Sequence, residues 1–311
     1  MDLKYPVYII SKGRWDRRIT VRSLDRLNIP YHIVVEAQEY DKYAAHIPKE
    51  RILVLPQSYK DNYDVCDIYG QTKSTGSGPA RNFCWDHSVE RGYERHWIMD
   101  DNIGAFTRLN RNFEIKMSSG AMFRAVEDFV DRYENVALAG PQYDFFVITR
   151  WKYPPYSLNR RIFSCILIKN DIPYRWRARY NEDVDLSLRV LKDGWCTMLF
   201  NALLQEKATT QTIKGGNTSE LYSEGTLEKS KMIVNLHPDV TKMSFKYNRW
   251  HHHVNYAPYK NNKLIKKADV HIEDGVNNYG MEPYYIDKRG NPIKPVDWQD
   301  EWHKDPGVIN S

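Results

Sequence analysis

The chain has no apolar run approaching the roughly 20 residues that a membrane-spanning helix needs. Its opening, Met1-Asp2-Leu3-Lys4-Tyr5-Pro6, lacks the basic, apolar and small-residue regions of a secretory signal. A cytoplasmic protein with no membrane partner is therefore expected. Cysteine is scarce. The 4 residues, at positions 66, 84, 165 and 196, form no Cys-x-x-Cys pair. That scatter speaks against a thiolate zinc cluster and leaves reduced, buried thiols. Neither sign of charge dominates, with 45 Lys and Arg against 40 Asp and Glu and a net of +5. A mildly basic balance suits an anionic ligand or a nucleic acid and requires neither. No internal repeat, low-complexity tract or obligate protein partner is signalled. Aromatics, by contrast, are plentiful: 22 Tyr and 9 Trp exceed what one core requires. Surplus aromatics stack on sugars or bases, or simply pack amphipathically at the surface.

A length of 311 residues allows one large α/β domain with an appendage, or two modest domains. The first half alternates strand and helix patterns. Residues 5–10, 31–35 and 51–55 read as strands, separated by helical stretches with Val21, Leu24 and Leu27 on one face and a short helix near 39–45. This is the βαβ rhythm of a parallel sheet. A polar loop over 57–78 runs into a helix over 80–91, with Pro79 suited to its first turn and Gly92 closing it. Residues 96–99, 136–139, 162–168 and 195–200 read as further strands, and 118–133 as a helix. Asn181 is a plausible N-cap for a helix with Val184, Leu188 and Leu191 on one buried face, closed by Gly194. Beyond about residue 235 the periodicity fades. The expected division is a catalytic domain over 1–235 and a C-terminal extension, or lid over the donor site, over 236–311.

The sharpest chemical signal is Trp97-Ile98-Met99-Asp100-Asp101-Asn102, an apolar strand delivering acidic and amide side chains at its carboxyl end. Open α/β sheets bind ligands there, and Asp and Asn supply the oxygen donors that Mg²⁺ or Mn²⁺ prefers. Asp-Asp-Asn is also a good turn sequence. A second acidic cluster, Glu182-Asp183-Val184-Asp185, opens a helix. Acids at a helix N-terminus complement its dipole, but that accounts only for their sign. A carboxylate there can also take a proton from an attacking hydroxyl. Asp183 is the favoured base, with Glu182 holding a sugar or a backbone amide.

Gly76-Ser77-Gly78-Pro79-Ala80-Arg81-Asn82 offers small residues and a helix start to a phosphate, with Arg81 for the phosphate and Asn82 for a ribose or sugar hydroxyl. Such a loop is often only a linker. Ser11-Lys12-Gly13-Arg14, directly after the first strand, is a second place to hold a nucleotide, through Lys12 and Arg14. In Arg249-Trp250-His251-His252-His253, histidines two apart share a face only on a strand. An interaction surface is the commoner role of such a run. His251 is expected to complete a metal shell, with His253 and His237 competing. No His-Glu-x-x-His spacing supports zinc hydrolysis.

Together these motifs resemble a GT-A glycosyltransferase. Asp100-Asp101-Asn102 stands as a DxD-like motif, Gly78 to Asn82 as the donor-binding helix start, and Asn181-Glu182-Asp183 as the acceptor-side motif. The metal motif departs from the pattern in ending on Asn102. Pro6 to Arg14, Val35 to Tyr40 and Arg249 to Tyr256 are similar to the TET-associated glycosyltransferases of bacteriophages. The resemblance implies a GT-A, Rossmann-like sheet flanked by helices and a UDP-sugar donor with Mn²⁺ or Mg²⁺. It also implies Glu36 beside the donor nucleoside, and an acceptor of 5-hydroxymethylated pyrimidine in phage DNA. Three alternatives stay open: a polysaccharide or protein acceptor, a non-catalytic nucleic-acid-binding module on the same fold, and a nucleotidyltransferase.

Overall fold

Strand β1, Val7–Ile10, is buried at every position, the condition of a strand covered on both faces. Its pleat divides it: Val7 and Ile9 enter one apolar cluster, Tyr8 and Ile10 another. This computed structural model describes residues 2–110, 113–147, 154–207, 221, 226–271, 285–286 and 292–293. The following strands are β2 (His32–Val35), β3 (Ile52–Val54), β4 (Arg95–Asp100), β5 (Ile103–Asn110) and β6 (Phe113–Lys116). After them come β7 (Val136–Tyr143), β8 (Tyr156–Leu158), β9 (Cys165–Lys169) and β10 (Cys196–Lys207). They form one sheet in the order β3-β2-β1-β4-β9-β7-β10-β5-β6, with β8 also pairing β10.

Strands β1 to β4, β6, β7 and β10 share one direction, and β5, β8 and β9 oppose them. The sheet is thus largely parallel, as expected. Its antiparallel part includes the β5–β6 hairpin, which the sequence pattern did not reveal. From β1 the chain builds outward through β2 and β3, then returns to place β4 on the other side of β1. The carboxyl ends of β1 and β4 therefore flank a topological switch point, where open sheets bind ligands.

The helices are α1 (Ile19–Arg26), α2 (Tyr40–Ala44), α3 (Gln57–Asp61), α4 (Gly78–Glu90), α5 (Ala121–Val130), α6 (Glu182–Lys192) and α7 (Leu227–Leu236). Val21 and Leu24 of α1 and Phe123 and Val126 of α5 cover one face of the sheet. Cys84 and Trp85 of α4 and Leu186 and Val190 of α6 cover the other. Val184, Leu188 and Leu191 of α6 do form a buried face, but against Ile233 of α7, Val240 and Tyr259. Helix α6 is consequently sandwiched between the sheet and the C-terminal segment. Gly194, at φ 83, follows it with its N–H on the Leu191 carbonyl. Asn181 occupies the N-cap position in a left-handed conformation, yet its side chain does not cap. Its Nδ2 instead donates to the Lys229 carbonyl at 2.7 Å, tying α6 to α7.

Past α7, β11 (Thr241–Lys246) and β12 (Arg249–Val254) pair as an antiparallel hairpin that packs on α7. The chain then returns to the sheet domain, with the Lys267 N–H on the Arg132 carbonyl at 2.8 Å. A two-residue ladder joins β13 (Tyr285–Ile286) and β14 (Pro292–Ile293). Among the described residues no helix is long and apolar enough to cross a membrane.

Candidate active site

Five of the expected donor-side residues, Ser11, Arg14, Arg81, Asp100 and Asp101, meet at the switch point. Ser11, just past β1, donates to Asp101 Oδ2 at 2.7 Å, and Arg14 bonds Asp101 Oδ1. Arg81, in the first turn of α4, donates to Asp100 Oδ1 at 2.7 Å. Lys207, the last residue of β10, donates to Asp100 Oδ2 and Ser164 Oγ, each at 2.6 Å. Burial would push the Asp100 carboxyl up, but Lys207 and Arg81 outweigh it and hold the group well below the ordinary carboxylate range. Asp101 goes the other way: burial raises it against the opposing pull of Arg14 and Ser11. Arg81 is 3% exposed, lies 4.8 Å from the Trp176 ring and keeps Nη1 without a hydrogen-bond partner. A buried guanidinium with an unused donor is ready to take an anionic oxygen.

Glu36 directly follows β2 and is buried. Lys60 Nζ stands 2.5 Å and Lys12 Nζ 3.0 Å from its Oε1. Burial opposes its ionisation, and the two lysines prevail and lower it. Gly13 gives its N–H to the Glu39 carboxylate at 2.9 Å. Lys12 and Glu36, both expected on the donor side, are neighbours in the fold, and Lys60 joins them.

The Gly/Ser loop has a different physical logic from the expected phosphate cradle. A Cβ at Gly78 would fall 1.8 Å from Tyr63 Oη, and one at Gly76 would fall 2.7 Å from the Arg179 carbonyl oxygen. These glycines let the loop close on its own protein. Asn82 is likewise engaged, exchanging both amide hydrogen bonds with the Trp176 backbone at 3.0 and 2.9 Å. Arg179, buried, binds the Asp67 carboxylate at 2.6 and 3.0 Å and the carbonyls of Lys73 at 2.9 Å, Gly70 at 2.6 Å and Ser74. Ser77 Oγ then donates to Glu182 Oε1 at 2.5 Å. The Gly/Ser loop and the acidic helix start are one hydrogen-bonded unit.

Glu182 and Asp183 face different neighbours. Glu182 faces Ser77 and Arg81, whose Nε is 3.4 Å away. Burial raises its pKa, Arg81 lowers it, and the adjacent Asp183 charge raises it further; the net direction is up. Asp183 takes the Val184 N–H at 2.9 Å and has Arg161 Nε 3.8 Å from Oδ2. On that side opens a pocket of about 370 Å³ whose walls include Gln142, Arg160, Arg161, Phe163, His252 and Tyr256. Burial, with Arg161 and Lys229 nearby, lowers His252 to about 4, so its ring is neutral at pH 7.

Asp100 offers carboxylate oxygens, and the buried Asn102 Oδ1 has no hydrogen-bond partner. Such hard oxygen donors fit Mg²⁺ or Mn²⁺, which take only one or two protein ligands beside phosphates and water. Among the described residues no group of three or more His, Cys, Asp or Glu is placed to hold a metal ion. The expected histidines have other neighbours. His251 Nε2 is 3.1 Å from the Lys246 carbonyl, His253 Nε2 2.6 Å from Ser244 Oγ, and His237 Nε2 2.9 Å from the buried Asp185. The sequence reading missed Lys60, Arg161, Ser164 and Lys207. Lys207 follows Gln205 and Glu206 at the end of β10, so no apolar run points to it as one points to Asp100.

The sequence model of the TET-Associated Glycosyltransferase family matches residues 5–216. No curated protein matches the chain.

Proposed function

The chain belongs to the TET-associated glycosyltransferase family, and from that premise we propose that it moves a sugar from a UDP-sugar to the hydroxymethyl group of 5-hydroxymethylcytosine in phage DNA. The catalytic unit is the GT-A domain over 1–235, working in the host cytoplasm. The observation that carries this reading is the charge arrangement at the switch point: Asp100 and Asp101 at the end of β4, bracketed by Arg81, Lys207 and Arg14. A diphosphate bears negative charge that grows as its bond to the sugar breaks, and preorganised cations stabilise that change.

In an inverting displacement the hydroxymethyl oxygen attacks the anomeric carbon, forming a C–O bond as the carbon–phosphate-oxygen bond breaks. Asp183 accepts the hydroxyl proton and UDP leaves with the electron pair, its charge met by Arg81 and Lys207. Glu182, bonded to Ser77, orients the sugar. Glu36 with Lys12 and Lys60 takes the nucleoside. A Mn²⁺ or Mg²⁺ held by Asp100 and Asn102 would screen the diphosphate charge. Incubation of the protein with 5-hydroxymethylcytosine DNA and a panel of UDP-sugars, followed by nucleoside mass spectrometry, tests the reading. A glycosylated nucleoside is expected. Sugar transfer to a polysaccharide or polypeptide, with none to DNA, would refute the acceptor.

A further inference from the structure

The pocket beside Asp183 is connected to the surface by stacked rings. Phe163 forms part of its wall and is 6% exposed. Tyr143 packs on Phe163 with ring centroids 4.2 Å apart, Phe145 lies 5.3 Å beyond at an interplanar angle of 18°, and Phe146 follows at 4.2 Å. The ladder begins buried and ends exposed, with Phe145 at 64% and Phe146 at 51%. Two adjacent phenylalanines left in water are costly, and their stacking on a wall of the active site points to a planar partner.

The pocket has the chemistry of a base site. Its volume of about 370 Å³ lies within the range of small-molecule sites, roughly 300–1,000 Å³. Gln142 offers an amide, His252 an imidazole, and Arg160 and Arg161 guanidinium donors. Arg161 lies 4.7 Å from the Phe163 ring and Arg160 5.8 Å from the Tyr256 ring, so both guanidinium groups sit beside aromatic walls. Enzymes that do chemistry on a base take it out of the stack, because the reacting group must reach a partly enclosed site. Asp183, with a side chain only 23% exposed, is such a site.

We propose that this pocket receives the target pyrimidine swung out of a DNA duplex, and that Phe145 and Phe146 enter the stack to fill the place it leaves. The inference rests on the DNA-acceptor reading above. Arg160 and Arg161 meet the phosphates and carbonyl edge of the extruded nucleotide, and Gln142 reads the amide edge of its ring. The aromatic ladder lowers the cost of extrusion by replacing one base-stacking partner with another.

The test uses oligonucleotides carrying one 5-hydroxymethylcytosine beside 2-aminopurine, as duplex and as single strand. Without a sugar donor, wild-type protein should raise 2-aminopurine fluorescence in the duplex. With UDP-sugars, transfer is measured on both forms. In the Phe145→Ala/Phe146→Ala double variant the ratio of duplex to single-strand turnover should fall about tenfold, the effect of losing one stacked partner. Because the comparison is a ratio, partial misfolding of the variant cancels. Gln142→Leu should raise KM about tenfold for both forms, as one lost hydrogen bond to a buried ring does. Wild-type transfer to the duplex with no fluorescence rise, or an unchanged ratio in the double variant, overturns base extrusion and leaves the glycosyltransferase reading standing. No wild-type transfer to either form overturns the DNA-acceptor reading and this inference with it.

Discussion

Lys207 Nζ lies 2.6 Å from Asp100 Oδ2, although β9 and β7 separate their two strands in the sheet. The reason is the turn after β4. It feeds directly into β5, which pairs antiparallel with the far half of β10 in a register that sets Ile103 opposite Lys207. The end of β10 is thereby carried back over the end of β4. Burial works against the charged Lys207, and Asp100 overcomes it, so the lysine pKa is raised and the pair stays ionised. Lys207→Met removes one cation from the donor site and a hydrogen bond worth roughly 1.5–3 kcal/mol. We expect the UDP-sugar KM to rise about 10–100-fold in steady-state kinetics. Unaltered donor KM would show that Lys207 only braces Asp100.

Asp100 and Asn102 give a second expectation. Activity should vanish in EDTA and return with Mn²⁺. Asn102→Ala should weaken Mn²⁺ binding by about tenfold or more, read by electron paramagnetic resonance of the free ion in the presence of UDP. Full turnover in chelator would assign charge neutralisation to Arg81 and Lys207.

The two carboxylates that open α6 should separate kinetically. Asp183→Asn keeps shape but removes basicity, so turnover should drop roughly 10²–10⁴-fold with donor binding and melting temperature nearly unchanged. Glu182→Gln should instead weaken donor binding, because Ser77 and Arg81 lose their charged partner. The opposite pattern in a calorimetric and kinetic comparison would swap the roles.

His96 is buried without exposure and hydrogen-bonds Asn170 at 2.6 Å. Burial lowers its pKa from 6.5 to about 4. The unfolded chain therefore binds the extra proton first as pH falls. Its contribution to stability is full above pH 6.5, declines between 6.5 and about 4, and is lost below, a change of about 3 kcal/mol at most. Urea midpoints measured across that range should fall towards acid, and the slope should flatten in His96→Phe. A wild-type midpoint constant from pH 7 to 4.5 would contradict the assignment.

The sequence by itself determined the features that rest on local pattern. Runs such as Val7–Ile10 fix the core strands because each residue is buried whichever way its side chain points. Asp100-Asp101-Asn102 and Glu182-Asp183 were legible because a strand end and a helix start place consecutive residues by backbone geometry alone. Tertiary structure decided which groups those carboxylates meet. Lys207 reaches Asp100 through a register 107 residues away, and Arg179 fastens the Asp67–Ser74 loop from a segment more than 100 residues distant. Neither partnership leaves a periodicity to read. The same distinction separates Gly78 and Asn82 from their expected ligand roles. Small and amide side chains suit a phosphate or a ribose in isolation, but Tyr63 and Trp176 already occupy them, and only the packed chain brings those residues there.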